Sequence, residues 1–174
     1  MRNLLLGLTG GLLIAGATLS AAPASAQQAG DPAFIAVSAG YFDANKRKNS
    51  AFEGRLEWRG GEEHKLWIFK PFAGVMGTSD GGAYGFGGVL IDIYFGNRLV
   101  LTPSFAPGAY AKGSGKDLGS VLEFRSGLEL SYRFDDRSRL GIGISHMSNA
   151  SLGNKNPGEE TVFVTYAIPV GDLF

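Results

Sequence analysis

Two segments of this chain alternate between apolar and charged side chains. In residues 52–59 the even positions are mostly apolar and the odd positions are all charged, and in residues 124–134 the odd side again carries arginine and glutamate. Because successive side chains of a β-strand point to opposite faces, this period of two predicts strands with one apolar and one charged face. A soluble sandwich and a membrane barrel both show this pattern, and they differ in which face is closed off from water.

The spacing of the strand-like segments favours the barrel. Eight segments of around ten residues can be read, which is the length that a tilted strand needs to cross a bilayer. They lie near 33–42, 50–59, 64–76, 83–95, 98–110, 120–134, 138–148 and 161–170. Longer polar connections alternate with tight turns, as they do in outer-membrane barrels. The sequence therefore predicts an all-β protein, an eight-stranded antiparallel transmembrane β-barrel of the outer membrane.

A barrel of eight strands has interior space for side chains only, so the charged faces must neutralise one another. The predicted inward-facing charges are four acids and four arginines: Glu53, Arg55, Glu57, Arg59, Glu123, Arg125, Glu129 and Arg133. We expect them to pair into an internal polar plug, which argues against a pore.

The two ends of the chain carry signals of export. Residues 1–26 combine a positive Arg2, an apolar core over 4–19 and an Ala-Ser-Ala cleavage site, so we expect a signal peptide removed after Ala26 and one barrel domain over 27–174. The final Phe174 follows an alternating strand, which resembles the assembly signature of outer-membrane barrels.

Composition excludes several classes of protein. The chain has no cysteine, so neither a disulfide nor a thiolate site can form. No apolar run is long enough for a membrane helix. The net charge of the predicted mature chain, −1, gives no basic balance of the kind that nucleic acids require.

The candidate site lies where the seventh predicted strand ends and the eighth begins. His146 and Ser148 project from the same side as two isoleucines, and Glu160 shares its face with the valines of the returning strand. Polar groups on an apolar face predict chemistry there. Ser148 would attack an ester, His146 would take its proton, and Glu160 would orient the imidazole. Because His146 and Ser148 lie side by side on one strand, curvature of the following loop must close the gap between them.

These residues resemble a known family. His146-x-Ser148-Asn149-Ala150, followed by a glutamate fourteen residues after the histidine, is similar to the outer-membrane lipid A 3-O-deacylases, the PagL family. The resemblance implies an eight-stranded barrel that hydrolyses the acyl chain ester-linked at position 3 of lipid A. It also implies that His146, Ser148 and Glu160 are the catalytic residues.

The same resemblance suggests how the oxyanion is held. It implies that Asn149 helps, and backbone N–H groups at Ala150 and Ser151 can assist as further donors. At Ser151 the chain departs from a glycine that is found in the family.

Cationic residues crowd the first outer loop. Lys46, Arg47 and Lys48 are candidates for contacts with lipid A phosphates, although ordinary solvated loop charges would look the same. No cofactor is expected, and no metal either, because no cluster of histidine and acidic residues has ligand spacing.

Two other functions stay open at this stage. A phospholipase would use the same triad on a glycerophospholipid, and a non-enzymatic structural barrel would not need it at all. The predicted partners are lipid A or lipopolysaccharide of the outer leaflet and the outer membrane itself, without nucleic acid. A homodimer is compatible with this interpretation.

Overall fold

The computed structural model describes residues 30–45 and 49–170, and it is built of β-strands. The strands are β1 (Phe34–Phe42), β2 (Ala51–Arg59), β3 (Lys70–Thr78), β4 (Ala83–Leu90), β5 (Ile93–Phe95), β6 (Leu99–Ala111), β7 (Leu122–Arg133), β8 (Arg139–Ser148) and β9 (Glu159–Pro169). A short 3₁₀ turn, Glu62–His64, follows β2. The expected signal peptide and the cationic residues 46–48 lie outside the described residues. Within those residues, no helix has the length and apolar character to cross a membrane.

The sheet closes on itself. Each strand pairs antiparallel with its neighbours, and β1 pairs with both β2 and β9. Both β4 and β5 pair with β6, so they are two segments of one barrel strand. The result is an eight-stranded antiparallel barrel, which confirms the predicted fold class.

Two predicted strands differ in detail from the observed ones. The third begins at Lys70 rather than near 64, because the 3₁₀ turn and a tight hairpin precede it; Leu66 and Phe69 exchange backbone hydrogen bonds of 2.8 and 3.0 Å across that hairpin. The fourth is interrupted at Asp92, whose carboxylate accepts hydrogen bonds from Arg139 at 2.9 Å and Lys70 at 3.1 Å inside the barrel.

The barrel is apolar outside and charged inside. Outward-facing side chains such as Phe52, Val75 and Ile142 are exposed, whereas the charged residues of β2 are buried. Arg59 lies 2.8 Å from Glu129 across the interior and 2.7 Å from Glu57. This inversion of the soluble pattern is that of a membrane barrel.

The expected internal plug is confirmed for six of its eight members. Arg55 pairs with Glu53 at 2.6 Å and with Glu57 at 3.4 Å, and Arg125 also reaches Glu57 at 3.4 Å. The other two members do not join this network. Arg133 pairs instead with Asp31 at 2.7 Å, because the segment before β1 folds into that end of the barrel. Among the described residues Glu123 forms no ion pair, since it lies at the opposite end, at the start of β7.

Asp31 closes the end of the barrel where the chain enters β1. Its carboxylate accepts hydrogen bonds from Arg133 at 2.7 Å and from Arg139 at 2.6 Å. Burial by itself would raise the pKa of the Asp31 carboxyl, but the hydrogen bonds from the two arginines outweigh burial and hold that pKa below its ordinary value of 3.8.

We expect Arg59→Gln to lower the free energy of unfolding by about 3–5 kcal/mol, because it leaves buried carboxylates without their partner. The matched control is Arg98→Gln, whose pair with Asp135 lies at the surface and contributes about 0–1 kcal/mol. Urea titration in lipid vesicles, read by the gel mobility of the folded barrel, measures both. Equal decreases in the free energy of unfolding for the two variants would mean that the internal plug contributes little to stability.

Asp31→Asn tests the closure of the entry end. Because the folded pKa of Asp31 lies below its unfolded value, its contribution is present above about pH 4 and is lost as the pH falls through the folded pKa. The wild type should therefore be more stable than Asp31→Asn at pH 7, and the difference should shrink toward pH 2. A difference independent of pH would contradict the assignment.

Candidate active site

Strand register arranges the outer face of β7, β8 and β9 in rows that run across the strands. Ser126 of β7 lies opposite His146 of β8, and His146 lies opposite Glu160 of β9. The next row toward the entry end consists of Leu128, Ile144 and Val162. A polar row therefore interrupts an apolar wall, close to the end where β8 finishes and β9 starts.

His146 and Glu160 form the central pair of this row. Their side chains approach to 3.2 Å between Nδ1 and Oε1. A carboxylate at this position selects the tautomer in which Nδ1–H donates to Glu160, and it leaves Nε2 to accept a proton. The histidine side chain is 48% exposed, so it can be reached from outside the barrel.

Gly158 fixes the other side of the imidazole ring. A Cβ atom at this position would lie 3.0 Å from Cε1 of His146, and the backbone has a left-handed φ of +60°. The left-handed φ favours glycine, and a side chain here would have to displace the imidazole ring by a few tenths of an ångström. The loop that returns to β9 therefore packs its backbone directly against the histidine.

Ser148 lies one row further toward the loops, opposite Phe124 and on the same face as His146. Residues two apart on a strand are separated by about 7 Å. Among the described residues no hydrogen bond joins the Ser148 hydroxyl to His146. The structure thus brings His146 and Glu160 into contact and places Ser148 next to them without a direct bond.

A tight turn follows Ser148 at once. The N–H of Leu152 donates to the carbonyl of Asn149 at 2.9 Å, and the two residues between them have left-handed φ angles, 52° at Ala150 and 63° at Ser151. This is a type I′ turn made without glycine, which is a strained arrangement. Within the described part of the chain, the backbone N–H groups of Ala150 and Ser151 have no hydrogen-bond acceptor.

Asn149 holds the loop from the barrel interior. It is fully buried, and its Nδ2 donates to the carbonyls of Leu118 and Lys155, both at 2.8 Å. Its amide therefore ties the loop after β8 to the loop before β7. The family resemblance predicts Asn149 at the oxyanion, which stays a prediction; in the structure its side-chain amide lies behind the outer face, bonded to the two loops.

A groove of about 360 Å³ opens on the outer wall beside the pair. The outward-facing side chains that line it are Ser126, Leu128, Ile144, His146, Glu160 and Val162. Ser126 carries no signal in the sequence, because only the register between β7 and β8 shows that it neighbours His146. Such a groove can hold a hydrocarbon chain with a polar group at one end.

The loop lysines that the structure describes are engaged with acids. Lys116 is buried in an ion pair with Asp43, and Lys155 lies 3.1 Å from Asp117. Lys116 is therefore a structural residue rather than a free cation for a ligand.

Comparison with known proteins gives both a fold and a family. The crystal structure of the outer membrane enzyme PagL matches with a TM-score of 0.62 at 18% identity, covering 79% of this chain and 99% of that one. Neisserial surface protein A matches with a TM-score of 0.56 at 10% identity, covering 81% and 99%. A de novo designed transmembrane β-barrel matches with a TM-score of 0.55 at 9% identity, covering 81% of this chain and 98% of that one. At these identities the structures support the barrel fold alone.

The sequence comparison carries the family assignment. No curated protein matches the chain. The model of the family described as lipid A 3-O-deacylase (PagL) matches residues 52–169, a span that runs from β2 to β9 and includes the row of His146 and Glu160. Because that span is more than half of the sequence, the chain belongs to the lipid A 3-O-deacylase (PagL) family.

Proposed function

We propose that this protein is an outer-membrane esterase that removes the acyl chain ester-linked at position 3 of lipid A. Membership of the deacylase family supports the reaction. The observation that carries the proposal is the His146–Glu160 pair on the outer wall of the barrel, directly above an apolar groove. A base placed on that wall is accessible to a lipid ester and remote from substrates dissolved in water.

The geometry supports a serine mechanism. His146 Nε2 removes the proton of Ser148, whose Oγ attacks the acyl carbonyl carbon, while Glu160 accepts the hydrogen bond from Nδ1–H and stabilises the imidazolium. His146 then protonates the departing sugar oxygen. Water, activated by the same histidine, hydrolyses the acyl-enzyme and releases a 3-hydroxy fatty acid. Hydrogen bonds of catalytic groups often tighten only when substrate is bound, and in this scheme the Ser148–His146 bond forms in that complex.

The turn after Ser148 supports its role over that of Ser126. The N–H groups of Ala150 and Ser151 are unpaired within the described residues and follow the nucleophile directly, where an oxyanion would form. Ser126 lies within β7, where ladder hydrogen bonds occupy the neighbouring backbone N–H groups. In this scheme Asn149 positions the turn, and Lys46, Arg47 and Lys48 remain proposed contacts for the lipid A phosphates.

Ser148→Ala and His146→Ala should each abolish the loss of one 3-hydroxyacyl mass from lipid A. Mass spectrometry of lipid A from bacteria that express each variant measures this. The matched control is Ser131→Ala on β7, whose hydroxyl faces the barrel interior and donates to the Val100 carbonyl. Activity in Ser148→Ala would exclude it as the nucleophile. Loss of a phospholipid acyl chain with intact lipid A would favour a phospholipase.

Ser151→Gly should raise the free energy of unfolding by about 0.5–1 kcal/mol, because glycine adopts the left-handed φ of this position without the cost that a side chain carries. Ser114→Gly is the control, since Ser114 is an exposed loop serine outside the left-handed region and should lose stability. Deacylation should persist in Ser151→Gly, which keeps the backbone N–H. A destabilised variant would mean that the serine side chain supports the turn.

A further inference from the structure

Ser126 is a polar residue on the outer wall for which the reaction scheme has no use. It is exposed and lies directly opposite His146, and the groove beside it is lined by Leu128 and Ile144. Within the described residues its hydroxyl has no hydrogen-bond partner. A hydroxyl group that faces hydrocarbon without a hydrogen-bond partner is unfavourable. A ligand that places a polar group beside Ser126 would supply that partner.

The other polar groups of the row are either engaged or out of reach. Within the described residues Glu160 Oε2 has no hydrogen-bond partner, but this atom is itself buried, unlike the exposed Ser126. His146 and Glu160 bond to each other through Nδ1 and Oε1, and the reaction needs Nε2 for proton transfer. Of the three side chains in the row, Ser126 therefore has the hydroxyl that remains available for a part of the substrate that does not react.

The position of Ser126 relative to Ser148 fixes which part of the substrate it meets. Ser148 pairs with Phe124, so Ser126 is its diagonal neighbour on β7, at about 7–8 Å. An acyl chain attacked at its carbonyl carbon by Ser148 runs from there down the wall toward Leu128 and Val162. It passes Ser126 within its first few carbon atoms, before it enters the apolar part of the groove.

We propose that Ser126 binds the hydroxyl group on the third carbon of the scissile acyl chain and so selects 3-hydroxyacyl esters over unsubstituted esters. This inference rests on the proposed function, and it names the feature of the acyl chain that the site recognises. Hydroxyl groups both donate and accept, so the two can bond to each other while the hydrocarbon tail lies along the wall. An unsubstituted chain would leave the Ser126 hydroxyl unpaired in a site closed off from water by the lipid.

The test compares two esters of equal chain length, one with and one without the 3-hydroxyl group, presented in detergent micelles to the purified barrel. Wild type should hydrolyse the hydroxylated ester with a kcat/KM about tenfold higher, the value of one hydrogen bond. Ser126→Ala should lose this preference by lowering kcat/KM for the hydroxylated ester alone. Ser126→Thr keeps a hydroxyl and should retain the preference, and Ser131→Ala on the inner face of β7 is the control.

Two kinetic outcomes would overturn the proposal. An unchanged preference of Ser126→Ala for the hydroxylated ester would show that another group binds the 3-hydroxyl group of the acyl chain. An equal loss of kcat/KM for both esters in Ser126→Ala, with gel mobility showing that the barrel is still folded, would mean that Ser126 is the nucleophile or a structural residue.

A binding measurement separates this proposal from the proposed function. The Ser148→Ala protein should bind a 3-hydroxy fatty acid about tenfold more tightly than the unsubstituted acid, and the double variant with Ser126→Ala should bind the two acids equally. This readout needs no turnover. If the wild type leaves lipid A intact, the proposed function fails, whereas equal binding of the two acids by Ser148→Ala would overturn the role of Ser126 by itself.

Discussion

The backbone pairing between β1 and β9 is the interaction on which the rest of the structure depends. It closes the sheet, so that no strand is left with an unpaired edge. Closure also fixes the register of every other strand pair, and the register of β8 against β9 sets His146 opposite Glu160. Because side chains alternate with a period of two, a shift of one residue would turn the histidine into the barrel interior.

A filled interior explains why the candidate site lies on the outside wall. Arg59, Glu57 and Glu129 occupy the middle of the barrel and Asp31 closes the entry end, so the inside offers no room for a ligand as large as a lipid. The buried acids and arginines neutralise each other's charges. The outer face is apolar around the row that Ser126, His146 and Glu160 form. The polar interior and the polar row are thus separate systems on the two faces of the same strands.

The alternation in 52–59 and 124–134 was enough to predict most of the internal plug, and the length and spacing of the strand-like segments were needed to predict a barrel of eight strands. The position of His146 and Glu160 on the same outer face could also be predicted, because it follows from the alternation of side chains along two adjacent strands. Ser126 could not be found, since its neighbours on β8 depend on a register that no single strand encodes. The left-handed turn at Ala150 and Ser151 was missed because neither residue is one that usually signals such a turn.

The direction in which the groove opens has a kinetic consequence. It opens sideways from the barrel wall, while Asn149 secures the adjacent loop from within. In the proposed reaction, lipid would arrive and fatty acid would depart by lateral diffusion, so the rate would be governed by the number of lipid molecules per unit of membrane area rather than by a bulk concentration. Only the water that hydrolyses the proposed acyl-enzyme would have to come from the solvent, at the end of the barrel where the loops lie.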